Sequence, residues 1–165
     1  MFFAGTVYAE ETKYILHDNC INMLYNPAVV YFEDSEISVF RDSRGIVISF
    51  GIANPEDEYN QLTDKMLKNL AKIEYFLAKI KNAVIIEVRT AGDIPANLNH
   101  LKKWEISAVI AGNIEYVLCR DNTTLKNRIH SVGYGEFSPK NNTPNNGGKL
   151  LNSVDIIILC NISGE

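Results

Sequence analysis

Few residues in this sequence could do covalent chemistry, and the first of them is Thr6. It lies in "FFAGTVYA" (2–9), directly after Gly5. A Gly-Thr bond near a chain start is where some hydrolases cut themselves. The cut frees a threonine whose hydroxyl attacks a carbonyl while its own amine acts as base. The plainer reading of Thr6 is an ordinary strand residue, since β-branched side chains favour strands. His17, His100 and His130 sit on separate segments, and His17 cannot share a strand face with its neighbour Asp18. A Ser/His/Asp or Cys/His site would have to be assembled by folding, because no nucleophile elbow marks one. Phosphate-loop patterns such as GxxxxGK or GxGxxG are absent. Cys20, Cys119 and Cys160 are far apart, each in apolar sequence. They form neither a disulfide framework nor a CxxC metal site, so the expectation is free thiols in a reducing cytosol, with no metal and no cofactor.

The elements that would position these residues belong to a chain of 165 residues, 46% hydrophobic and 22% charged, enough for a single globular domain over 1–165 with a sizeable core. A formal charge of −4 gives no strong nucleic-acid signal. No apolar run reaches the roughly 18 residues of a membrane span, and the first residues lack the basic start and long apolar stretch of a signal peptide. A cytoplasmic protein is the expectation. Eighteen asparagines, with many Lys and Ile, hint at an AT-rich genome and so at a phage or viral source.

Residues 2–9 and 13–18 read as a hairpin, and "NMLYNP" as a loop. "SEISVF" (35–40) and "GIVISFGIA" (45–53) are strands joined by a turn, with Ile37, Val39, Ile46, Ile48 and Phe50 on one buried face. A helix is predicted over 55–81: Asn54 is its N-cap, Pro55 its first residue, and three acidic residues complement its dipole. Tyr59, Leu62, Met66, Leu70, Ile73, Leu77 and Ile80 form its apolar stripe, while Lys65, Lys68, Lys72 and Lys79 line a solvated face. "NAVIIEV" (82–88) is a strand and "ANLNHLKK" (96–103) a short helix. "EISAVIAG" and "IEYVLC" (105–119) read as a hairpin turning at Gly112-Asn113, and 127–135 and 154–162 as further strands. "SPKNNTPNNGGK" (138–149) is the one low-complexity stretch and is expected to be a mobile surface loop. Trp104 and Tyr134 read as packing residues. The element order implies an α+β fold of stacked antiparallel sheets with outer helices.

Several stretches resemble proteasome β-subunits and the bacterial HslV protease, of the N-terminal-nucleophile hydrolase fold. "KYILHDN" looks like the family's second strand, "RGIVISFGIANPEDEYNQL" like its fourth strand running into the first long helix, and "EISAVIAGNIEYVLCRD" like the following hairpin. "IHSVGYGEF" is similar to the glycine-flanked turn after it, and "VDIIILCNI" to the late strand. The resemblance implies an αββα sandwich with one helical layer reduced. It also implies a threonine nucleophile helped by an aspartate and a lysine. Placing Asp18 on the family aspartate puts the nucleophile position at Phe2, leaves Thr6 in mid-strand and sets Glu36 where the lysine belongs. Tyr134 replaces the family's small hydroxyl residue.

The resemblance therefore implies a proteasome-like protein without an intact threonine site: a non-catalytic structural, regulatory or ligand- or partner-binding subunit that assembles as a homo-oligomer, a dimer or a ring, with a host or protease-complex protein as a further expected partner. The competing reading is an active hydrolase, through Thr6 and Asp18 after cleavage at Gly5-Thr6 or through an unrecognised site. An unrelated small α+β domain is the third.

Overall fold

The structure, a computed structural model, describes residues 4–94, 96–99, 101–137 and 152–160, with side chains from Leu16 onward. The low-complexity stretch 138–149 and His100 lie outside the described residues.

The chain opens with a helix, α1 (Ala4–Phe32), where a hairpin and a loop are expected. Ile21, Ala28 and Phe32 are buried and Leu24, Tyr25 and Tyr31 partly so, at helical and not strand spacing. Pro27 sits inside α1, where it removes one backbone hydrogen bond to the carbonyl four residues earlier. It read as a loop signal, but its exposed position leaves the packed side of the helix intact.

β1 (Ser38–Asp42) and β2 (Gly45–Gly51) form the expected hairpin. Gly45 closes the turn at φ +152, and a Cβ there would lie 2.1 Å from the Ile158 carbonyl oxygen. Only glycine fits both demands.

The helix predicted over 55–81 is two helices, α2 (Pro55–Asn60) and α3 (Asp64–Leu77). Asn54 caps α2 and Pro55 begins it, as expected. The chain breaks because the buried Glu58 carboxylate accepts hydrogen bonds from the Thr63 amide (2.9 Å) and hydroxyl (2.7 Å). Thr63 then caps α3 by accepting from the Met66 amide at 3.2 Å. Leu62, Met66, Leu70, Ile73 and Leu77 are all buried, so the predicted stripe does face inward.

β3 (Val84–Arg89) follows, then a single 3₁₀ turn at Ala96–Leu98. The expected hairpin over 105–119 is one helix, α4 (Lys103–Cys119). Ile106, Ile110, Ile114 and Leu118, four apart, are its buried line, and Gly112-Asn113 lies inside the helix instead of at a turn. The short α5 (Thr123–Lys126) leads to β4 (Ile129–Gly135), and β5 (Ser153–Leu159) ends the described chain.

The fold is α+β, but the strands make one mixed five-stranded sheet, in the order β1-β2-β5-β3-β4, and not two stacked sheets. Only β3 and β4 pair in parallel. Ile46, Ile48 and Phe50 of β2, Val154, Ile156 and Ile158 of β5, and Val84, Ile86 and Val88 of β3 share one face and one apolar cluster with α1, α3 and α4.

The amino-terminal region is also tied covalently. Cys20 of α1 and Cys160, just past β5, form a disulfide, with Cα atoms 5.6 Å apart. This corrects the expectation of three free thiols, since the two halves lie 140 residues apart in sequence and only folding brings them together. His17 adds a hydrogen bond from its ring to the Cys160 carbonyl at 3.1 Å.

Candidate functional site

β2 and β3 both run antiparallel to β5, and β4 runs parallel to β3. The carboxyl ends of β2, β3 and β4 therefore emerge at one end of the sheet. Loops gathered at one end of a rigid sheet are where binding residues tend to sit. Three segments meet there: 52–63, 90–102 and 136–137, with Asn152 at the start of β5.

Amide side chains organise this end. Asn152 Oδ1 accepts from the Ala91 and Gly92 amides at 2.9 and 3.1 Å, and its backbone carbonyl accepts from Ile52 N at 3.0 Å. Asn54 accepts from the Glu56 amide and donates to Asp57 at 3.1 Å. Asn97 donates to Glu56 at 2.5 Å and so joins the first two segments. Lys103 Nζ donates to the Ala91 carbonyl at 3.3 Å and to Glu136 at 3.0 Å, joining the second to the third. Thr90 donates to the Lys103 carbonyl at 2.8 Å, and the Gly135 amide donates to the buried Ser107 hydroxyl at 2.8 Å. Gly133 permits this seam: a Cβ there would strike the α4 backbone, 2.1 Å from Ala108 N.

A recess of about 190 Å³ lies between β2, α2 and α3, lined among others by Phe50, Asn54, Asp57, Met66 and Asn69. This end of the fold is a surface of amides and carboxylates with short apolar stretches. Such groups can donate to and accept from hydroxyls and amides, and attract amines. Among the described residues no three His, Cys, Asp or Glu side chains are grouped to hold a metal.

A second polar cluster lies on the sheet face away from the three long helices. Ser49, Asp155 and Glu87 form one row across β2, β5 and β3. Glu87 and Asp155, like charges directly opposite, are 3% and 5% exposed. Two arginines make that tolerable. Arg89 binds both Asp155 and Glu87, the latter at 2.9 Å, and Arg44 reaches Glu87 at 2.5 Å and Asp42 at 2.8 Å. Ser49 donates to Asp155 at 2.6 Å. Burial opposes the charge on Arg44, but its bonds to Glu87 and Asp42 outweigh burial and hold its pKa above the usual value.

The residues singled out from sequence fall elsewhere. Thr6 and Asp18 both lie on α1, twelve residues apart, which is about 18 Å along a helix axis. No hairpin brings them together. Asp18 is exposed, and Glu36, also exposed, pairs with Lys65 on the surface. His130 is exposed on β4, Tyr134 is half-buried, and Trp104, read as a packing residue, is 47% exposed. Sequence reading missed the buried charges of β3 and β5, although "IIEVR" and "VDIII" show charges embedded in apolar strands. It also missed Asn97 and Asn152, which no motif marks.

No protein-family model matches the chain, and no curated protein matches it. Solved structures do. A putative MotB-like protein from Desulfovibrio vulgaris is 19% identical, with a TM-score of 0.67 over 87% of this chain and 96% of that one. The periplasmic domain of Helicobacter pylori MotB is 14% identical, with a TM-score of 0.61 over 76% and 82%. The cell wall anchor of the T6SS from Pseudomonas aeruginosa is 17% identical, also at 0.61, over 79% and 95%. At these identities the likeness is one of fold. It overturns the resemblance to proteasome β-subunits and HslV, and with it both the non-catalytic proteasome-like subunit and the threonine hydrolase. The expected cytoplasmic location falls too, since domains of this fold are described as periplasmic or as a cell wall anchor.

Proposed function

We propose that this chain is a domain of the bacterial cell envelope, working outside the cytoplasm, that holds a wall polymer at the carboxyl end of its sheet. The observation that carries this reading is the Cys20–Cys160 disulfide in a fold shared with a periplasmic domain and a cell wall anchor. Structural disulfides persist in oxidising compartments such as the periplasm and are rare in the cytosol. The amide-and-carboxylate end supports the polymer: wall glycan and its peptide stems carry hydroxyls, amides and amines, which the Asn54, Glu56, Asp57 and Asn97 side chains can bind. Self-association is part of this proposal.

Cosedimentation of the oxidised chain with purified peptidoglycan sacculi tests the reading. The wild type should pellet with sacculi, and Glu56→Ala/Asn97→Ala should pellet several-fold less while keeping its thermal midpoint. Failure of the wild type to pellet, or equal pelleting of the variant, overturns the assigned site. Intact mass with and without reductant tests the compartment. A chain isolated from its source cells with both thiols free would count against a life outside the cytoplasm.

A further inference from the structure

The outer faces of α3 and α4 differ in kind. α3 presents Leu67 and Tyr75, 37% and 57% exposed, but interrupts them with the exposed charges of Asp64, Lys65 and Lys68. α4 presents Trp104, Val109 and Tyr116, which are 47%, 39% and 68% exposed, with the exposed Ala108 and Gly112 between them. No charged residue falls in the row Trp104, Ala108, Gly112, Tyr116. A helix that is apolar on both its buried and its outer side is made to be covered on both.

We propose that the outer face of α4 docks against the same face of a second copy of this chain, as an antiparallel pair about a two-fold axis at the level of Ile110. The row reads aromatic, small, small, aromatic in either direction. An antiparallel copy therefore sets Ala108 against the partner's Gly112 and Trp104 against the partner's Tyr116, the self-complementarity that a two-fold contact requires. A Cβ at Gly112 would meet nothing within 4 Å, so the space above the small pair is open to a second backbone. Charge fits as well. In an antiparallel pair each positive helix end lies beside the partner's negative end. A foreign apolar helix would satisfy the exposed face but would not account for the symmetry of the row. The row is only about 18 Å long at ~1.5 Å per residue. The contact therefore stays below the standard ~800 Å² per partner, and the pair should be weak, with a dissociation constant on the order of 100 μM.

Sedimentation equilibrium of the oxidised chain from about 10 μM to 1 mM should show the average mass rising from one chain toward two. Gly112→Leu should stay monomeric throughout, because leucine blocks the close approach. Its thermal midpoint should be equal or higher, since leucine is the better helix former and its space is free. Tyr116→Ala should weaken association at least tenfold, and Tyr75→Ala, exposed on α3, should leave it unchanged. A wild type monomeric to 1 mM overturns the proposal, whether or not another protein binds the face. So does Gly112→Leu associating like the wild type.

Discussion

The two faces of the central sheet are built from the same three strands by opposite means. Toward the helices, β2, β5 and β3 offer isoleucine, valine and phenylalanine, and neighbours across strands are apolar. On the other face the same strands carry Ser49, Asp155, Glu87 and Arg89, all buried, with Val47 and Ile157 beside them. The first face is non-directional: any arrangement that buries the same side chains gains about as much. The second works in one register only. Slipping β5 by two residues against β3 would keep apolar residues inward but part Asp155 from Arg89 and Ser49. Burial holds the sheet, and paired charge fixes how its strands align.

That comparison can be broken from either side. The largest effect belongs to the charged face: Arg89→Ala leaves Glu87 and Asp155 opposed in a buried row, and urea denaturation should show a loss of about 3–5 kcal/mol. Combined with Asp155→Ala in a double-mutant cycle, the two losses should add to more than the double variant shows; strict additivity would mean that the pair is not coupled. On the apolar face, Ile156→Ala should cost about 2–5 kcal/mol through lost burial and a cavity, with no dependence on salt. Ser49→Ala removes one bond to Asp155 and should cost about 1–2 kcal/mol in the same assay. Off both faces, Lys68→Ala on the exposed side of α3 should stay within about 0.5 kcal/mol. The smallest effect is a matter of pH. Burial, with Glu115 nearby, raises the pKa of the free Cys119 thiol, so the unfolded chain ionises first. Stability should fall slightly as pH rises past about 8.5, the unfolded thiol's value, and Cys119→Ala should flatten that limb of a pH series.

The apolar face was legible in the sequence. Strands near 35–53, 82–88, 127–135 and 154–162 and the inward stripe of α3 were found because period-two and period-3.6 patterns there are strong. α1 was misread as a hairpin and a loop, and α4 as a hairpin, because neither shows a clear apolar stripe. α4 is apolar on nearly every side, and α1 scatters polar and apolar residues round its axis, so no period separates helix from strand. That error led directly to the hydrolase resemblance, which needed hairpins at both places. The disulfide was hidden by sequence distance: nothing near Cys20 or Cys160 signals a partner 140 residues away. The loop cluster at the carboxyl end is held by asparagines that a linear reading sees only as polar spacers.

The Cys20–Cys160 link also sets how the domain bears tension. β5 is gripped by antiparallel partners on both sides, β2 and β3. A pull along α1 would otherwise peel the helix from the sheet one turn at a time, each turn yielding at low force. The sulfur bridge carries the load past the rest of α1 and delivers it to the end of β5. To move, β5 would have to break its ladders of backbone hydrogen bonds to both neighbours at once.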